Sequence, residues 1–230
     1  MNISLSSLTM TSLLALSGLC LIALAWPLAW SSMAAISGDS IDRSIARRAP
    51  INGREIDTYY HSRREAVKRW PTPSHLADLS LALGLKASQV SPPDVAMLEQ
   101  SLMTTLSVLR DRPGDAGAWV RAAAASVALN NPPEQAVSYL GMAFLTGVHS
   151  PRLRSAAAGV GLFVWDHLEA EDKRQVKRAM ATAWREGKGQ REPLLEDAIT
   201  SGRVGVLELA LSGHPSALHQ MRRMNGAYNE

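Results

Sequence analysis

From residue 8 to residue 36 no side chain is charged, and residues 13–30 (LLALSGLCLIALAWPLAW) are almost continuously apolar. A helix needs about 20 such residues to cross the hydrocarbon core of a bilayer, so this run predicts a transmembrane helix. Trp26 and Trp30 lie one turn apart near its C-terminal end. Indole suits the headgroup level, because its body is apolar while its N–H wants a polar partner. Pro27, between them, is tolerated near a helix end. Beyond residue 36 the pattern becomes mixed, then settles into short apolar-periodic segments separated by regular breaks.

Residues 37–73 read as a juxtamembrane segment. It carries two basic clusters, Arg47-Arg48 and Arg63-Arg64 through Lys68-Arg69, with Tyr59, Tyr60 and Trp70 among them. Acids interrupt the basic residues, which favours a solvated amphipathic helix leading into the next domain over one lying on anionic lipid. From Ser74 onward the breaks carry helix-start and helix-stop chemistry. The expected helices are 74–87, one opened by Ser91-Pro92-Pro93-Asp94 and running to about 110, 116–129, 133–146, one from Pro151 to about 167, 170–185, 192–201 and 203–211. Residues 213–230 read as a polar tail. The organisation is thus a 1–36 anchor, a 37–73 juxtamembrane segment, a 74–212 helical repeat domain and a 213–230 tail.

Composition strengthens the helical reading. Ala, Leu and Met dominate a chain with two Phe and four Tyr, whereas strands are rich in β-branched and aromatic residues. No window alternates apolar and polar residues, so the fold class is all-α. A net charge of +3, with acids interspersed among the bases, gives no electrostatic footprint for a polyanion. There is neither a helix-turn-helix nor a basic-aromatic module, and no nucleic-acid partner is expected.

The N-terminal run has two competing readings. Ser32-Met33-Ala34 is a passable signal-peptidase site, which would release a secreted helical domain, and Leu16-Ser17-Gly18-Leu19-Cys20 has the outline of a lipoprotein signal. No Lys or Arg precedes Arg43, the apolar run exceeds the usual signal core, and bulky Leu19 stands where lipoprotein signals carry a small residue. An uncleaved single-pass anchor in a bacterial inner membrane is the favoured reading. Arg43, Arg47, Arg48 and Arg54 follow the span and lean the C-terminal part towards the cytoplasm, with the periplasm as the alternative. Cys20 is the only cysteine, so the chain alone builds no internal disulfide and no thiolate metal site.

Helix pairs recur at roughly 35–40 residues, the spacing of a stacked solenoid in which no pair can bury its apolar face alone. Within residues 116–146, Trp119 opens the first helix, Ala122 and Ala123 follow one turn later, and Ala136, Leu140 and Ala143 lie on the second. These six positions resemble a tetratricopeptide repeat, a bulky residue early in the first helix and small residues where the second crosses it. Asn130-Asn131-Pro132-Pro133 replaces the family's usual turn and is one residue longer. Residues 108–113 and 45–50 (IARRAP) look like further repeat endings. The resemblance is close over one repeat and loose elsewhere. It implies an α-solenoid that binds a protein partner, and an association with envelope assembly, secretion or exopolysaccharide machinery.

Candidate chemistry is sparse. None of His61, His75, His149, His167, His214 and His219 falls in a metal-ligand spacing. Asp166, Glu169, Glu171 and Asp172 form the densest acidic patch. They carry an alternative reading, an accessory enzyme or metal-dependent hydrolase, although acids at a helix N-terminus are also what the helix dipole favours. Lys173, Arg174, Lys177 and Arg178 line the following helix and could face an acidic partner. Gly202-Arg203-Val204-Gly205 lacks the preceding strand that a dinucleotide fingerprint requires. No catalytic residue, cofactor or metal is therefore expected, and Trp119, Tyr139, Trp165 and Trp184 read as residues that stabilise the helix stack.

Overall fold

The computed structural model describes residues 5–47, 51–186 and 188–228. Among them every regular element is a helix, and the chain divides into two compact units, residues 1–82 and 83–230. Arg48 and Pro50, named above in the first basic cluster and in a repeat-like ending, lie outside the described residues.

The first unit is a helical hairpin with the start of a third helix. Helix α1 (Leu5–Arg47) is 43 residues long, roughly 65 Å at the rise of an α-helix. It passes through two environments. Up to Trp30 its described side chains are exposed apart from half-covered Gly18 and Pro27, whereas Ser31, Ala35, Gly38, Ile41 and Ile45 are buried at spacings of three and four. That second half is the seam on which α2 (Gly53–Arg69) folds back antiparallel, and α1 runs past the boundary expected at residue 36 as far as Arg47. The turn before α2 is closed by a capping box. The Glu55 N–H donates to Asn52 Oδ1 (3.0 Å) and the Asn52 N–H donates to Glu55 Oε2 (2.8 Å), which satisfies two otherwise unpaired donors. Helix α3 (Pro73–Ala87) starts one residue before the expected Ser74, because Pro73 takes the first helical position and the Thr72 hydroxyl accepts from the His75 N–H (3.1 Å). The boundary between the units falls within α3.

The second unit continues with α4 (Val95–Asp111), α5 (Ala116–Ala128), α6 (Pro133–Thr146), α7 (Pro151–Phe163), α8 (Ala170–Glu186), α9 (Lys188–Thr200), α10 (Val204–Leu211) and α11 (Pro215–Tyr228). Asp94, Asp115 and Ser150 cap α4, α5 and α7 by accepting from the N–H three residues on. Helices pack mainly against their neighbours in sequence, and α5, α7 and α9 also touch in series, as do α8 and α10. The core is built largely from Ala and Leu, with Trp184 as its bulkiest wholly buried member.

Two glycines lie where backbones come close. A Cβ on Gly161 would sit 2.6 Å from a Val176 methyl, and one on Gly38 would sit 2.3 Å from Ser62 Oγ. Both mark helix crossings, α7 on α8 and α1 on α2.

Three further expectations differ from the structure. The helix from Pro151 ends at Phe163 rather than near His167, because residues 165–167 tighten into a single 3-10 turn. That turn lets both Val164 and Leu168 reach the core. Helix α9 begins at Lys188, before the expected 192, and carries Pro193 inside it. The expected polar tail is instead α11. Ala217 and Met221 are buried, with Leu218 and Met224 packed beside them, and this narrow apolar stripe is hidden in sequence by His219, Gln220, Arg222 and Arg223. Arg222 also donates to Glu208 of α10 (2.9 Å).

The close crossings give a pair of substitutions of opposite sign. Gly161→Ala must displace Val176 and is expected to destabilise the protein by about 1–3 kcal/mol. Gly141→Ala in α6 meets open space and is expected to stabilise by about 0.5–1 kcal/mol through helix propensity. Urea unfolding of the detergent-solubilised full-length chain, followed by circular dichroism, measures both.

Candidate functional site

The hairpin seam carries an unusual polar cluster. Arg63 is 3% exposed, although its sequence neighbours place it in a basic run. It donates to the Ala35 carbonyl (3.3 Å) and twice to Asp39 Oδ1 (3.1 Å each). Its Nε lies 3.8 Å from Asp78, and its guanidinium stacks 4.8 Å over the Tyr59 ring. Tyr59 in turn donates to Asp42 (3.1 Å). Burial pushes the Tyr59 hydroxyl well above the ordinary tyrosine range, and the negative charges of Asp78 and Asp42 add to the effect. Arg64, Lys68 and Arg69 are exposed, so the basic cluster read from sequence is split between interior and surface.

At the foot of the seam, Ser31 donates to the Ala66 carbonyl and meets His75 Nδ1, both at 2.9 Å. Trp30 lies next to it. Its ring stacks on Trp26 (5.9 Å between centroids, 18° between planes), Arg69 sits 5.2 Å over it, and Arg69 Nη1 donates to the Trp30 carbonyl (3.2 Å). Trp70 is exposed. The hairpin therefore gathers three tryptophans and a guanidinium where the bare half of α1 meets its covered half. Among the described residues, α1 is the one helix long and apolar enough to cross a membrane.

In the second unit, Ala122, Ala123, Ala136, Leu140 and Ala143 are buried in the α5–α6 crossing. Trp119 lies at its edge, tilted against Tyr139 (5.9 Å) with its indole N–H donating to the Pro113 carbonyl (2.8 Å). The turn between these helices is closed by Asn130 in the left-handed conformation (φ 53°), with the Asn131 N–H bonded to the Ser126 carbonyl (3.0 Å). The serial contact of α5, α7 and α9 leaves an open cleft of about 540 Å³ on their shared face. Its wall is made from small residues, Ala124, Ala128, Ala156 and Gly159, with Phe163 at one side and Asp197 packed over Gly159.

No family model, curated protein or solved structure matches the chain.

Two carboxylates of the acidic patch are held in ion pairs. Asp166 pairs with Arg203, and Glu171 with Arg174. The Arg174 hydrogen bond and charge hold the Glu171 carboxyl below its usual range. Among the described residues no group of three or more His, Cys, Asp or Glu side chains is placed to hold a metal ion. The four bases of α8 do not act as one face. Lys173 lies 5.7 Å over the Trp165 ring, Arg174 pairs with Glu171, Lys177 is half-buried, and Arg178 borders a separate cleft beside Phe144. Gly202 (φ 68°) closes α9, with the Arg203 N–H bonded to the Ala198 carbonyl (2.7 Å) and the Gly202 N–H to Ile199 (3.0 Å). The glycine supplies a helix stop rather than a phosphate cradle.

The sequence marked Arg63 only as one member of a basic cluster, and the Asn52–Glu55 box went unnoticed. The box was legible as Asn-x-x-Glu ahead of an amphipathic run. Arg63 was not, because its partners come from 24 residues before it and from another helix after it.

Two outcomes follow for the seam. Arg63→Met removes a buried cation from half-exposed carboxylates that water can still solvate, so the cost is expected at about 1–3 kcal/mol rather than the full penalty of a buried pair. It should appear as faster amide exchange over residues 31–45. The raised Tyr59 pKa means that the folded hairpin holds that proton more tightly than the unfolded chain. The resulting stability is therefore full below the free-tyrosine value of 10.0 and falls as pH rises above it. A spectrophotometric titration alongside urea unfolding between pH 8 and pH 11, at roughly the range spanning free tyrosine, measures this, and Tyr59→Phe should flatten the dependence.

Proposed function

We propose that this chain is a single-span membrane protein whose helical hairpins form a tetratricopeptide-like solenoid, an adaptor that holds an apolar segment of another membrane or envelope protein in the α5/α7/α9 cleft. The observation that carries the reading is the change of environment along α1, bare and apolar up to Trp30 and covered by α2 from Ser31 onward. A helix exposing Leu16, Leu19, Leu21 and Ile22 to water would be a large apolar liability. In a bilayer the same surface is solvated. Trp26, Trp30 and Trp70 would then lie at headgroup level with Arg69 and Lys68, the arrangement expected of an interfacial belt. Signal cleavage after Ala34 would remove Ser31 and Trp30 and with them the contacts to Ala66, His75 and Arg69, which favours the uncleaved form. Arg43 and Arg54, with Lys68 and Arg69 brought to the foot by the fold, favour a cytoplasmic C-terminal part.

The serial packing of α5, α7 and α9 supports the adaptor half of the reading. First helices of successive pairs line one face, and their small side chains leave a cleft wide enough for the side chains of a bound helix or strand. Binding of this kind uses neither cofactor nor metal.

Full-length protein expressed in a bacterial cell should resist carbonate extraction, dissolve in detergent and retain Met1 by intact mass. A chain beginning at residue 35 would overturn the anchor. With a photo-crosslinking residue at Phe163, a discrete adduct is expected that is lost when Ala156→Trp fills the cleft. Adducts that survive Ala156→Trp, or that form equally from exposed Leu145, would overturn the adaptor site.

A further inference from the structure

A second, smaller cleft of about 180 Å³ lies where the end of α8, the start of α9 and the first turns of α11 meet. Its lining is Trp184, Arg185, Arg191, Ser216, Ala217 and Gln220. Four features set it apart from the rest of the surface. It holds two guanidinium groups and no carboxylate, and no acidic side chain pairs with either arginine among the described residues. Each arginine uses only its Nε locally, Arg185 on the Ala181 carbonyl (3.3 Å) and Arg191 on the Trp184 carbonyl (2.8 Å), which leaves the Nη groups for another acceptor. Trp184 is 1% exposed, yet its buried Nε1–H has no hydrogen-bond acceptor. A buried indole N–H ordinarily finds one, since the unmade bond costs the desolvation of the donor. Finally, Ser216 and Ala217 stand in the first turn of α11, where backbone N–H groups have no intrahelical acceptor and the helix dipole favours negative charge.

The polar side chains that line the cleft can all donate, and none of them is an ionised acceptor. We propose that this cleft is an oxyanion site that takes a phosphate group, as inorganic phosphate or as a small phosphomonoester. Two guanidinium charges balance a dianion, and guanidinium is the group best shaped for phosphate oxygens. Donors arriving from three helices suit a tetrahedral anion with oxygens on several sides better than a planar carboxylate, and the volume admits a phosphoryl group with a short organic tail. The site is separate from the α5/α7/α9 cleft and does not depend on the adaptor reading. Occupancy would tie α11 to α8 and α9 through a shared anion, so phosphate would also order the C-terminal helix.

The experiment is isothermal titration of detergent-solubilised full-length protein with inorganic phosphate, glycerol phosphate and acetate at fixed ionic strength, chloride being the background anion. Saturable binding of one phosphate or glycerol phosphate per chain is expected, with acetate much weaker. Arg185→Gln, at an exposed position, should weaken binding by about tenfold or more, the range for a lost charge-assisted hydrogen bond, without changing the phosphate-free melt. Trp184→Phe keeps an aromatic ring and removes the donor, and should weaken binding comparably; if that variant unfolds, Arg185→Gln alone decides. Glycerol phosphate binding without inorganic phosphate binding would identify an organic ester as the ligand. No saturable heat with either phosphate, acetate binding as tightly as phosphate, or unchanged affinity in Arg185→Gln would each overturn the site.

Discussion

Close approach between helices is the constraint on which both units depend. With two Phe in the chain and a core made largely of Ala and Leu, little bulk is available to fill space between helices. Packing must instead be achieved by bringing backbones near one another. Gly38 under Ser62, Gly159 under Asp197 and Gly161 under Val176 are close crossings, and Ala122, Ala123, Ala136 and Ala143 play the same part between α5 and α6. A core of this kind has many small contributions and few large anchors, so added volume is tolerated poorly at the crossings and freely away from them.

In the reading proposed above, helix α1 is one regular element that serves two solvents. A helix satisfies most of its backbone hydrogen bonds internally, which would permit it to lie in hydrocarbon at one end and in a packed hairpin at the other. What changes is the side-chain pattern: apolar all round before Trp30, then a seam of Ser31, Ala35, Gly38, Ile41 and Ile45. The polar cluster around Arg63 belongs to that seam. A buried guanidinium is costly to desolvate, and Asp39, the Ala35 carbonyl and the Tyr59 ring together offset that cost. It does specify register, because Arg63 must meet Asp39 and the Ala35 carbonyl on α1 while Tyr59, on the same face of α2, reaches Asp42.

The surfaces with binding character are also products of helix ends and helix faces rather than of dedicated loops. Three first helices in series leave a small-residue cleft, and three helix termini leave a donor-lined one. The acidic patch, by contrast, is partly paired: Glu171 meets Arg174 one turn on and Asp166 meets Arg203 from 37 residues on, both surface ion pairs of modest worth. Density of charge in sequence was a poor guide to where a ligand could be received, since folding brings a distant base against one of these acids.

Much of the fold was legible from the chain. Helix punctuation by Asp94, Asp115, Pro133 and Ser150 acts through neighbours within one turn, so the bounds of α4 to α6 and the start of α7 follow from local chemistry. The apolar run before Trp30 likewise needs no partner to be recognised. Tertiary structure decided what depends on distant residues. It turned the polar-looking tail into α11 by covering Ala217 and Met221, ended α7 early so that Val164 and Leu168 could both be buried, drew Arg63 out of a basic run into the interior, and left the Trp184 N–H without an acceptor. In each case the deciding interaction joins residues remote along the chain. Hydrophobic periodicity and capping record only what lies within a turn or two, whereas burial and the satisfaction of polar groups are set by whichever element arrives alongside.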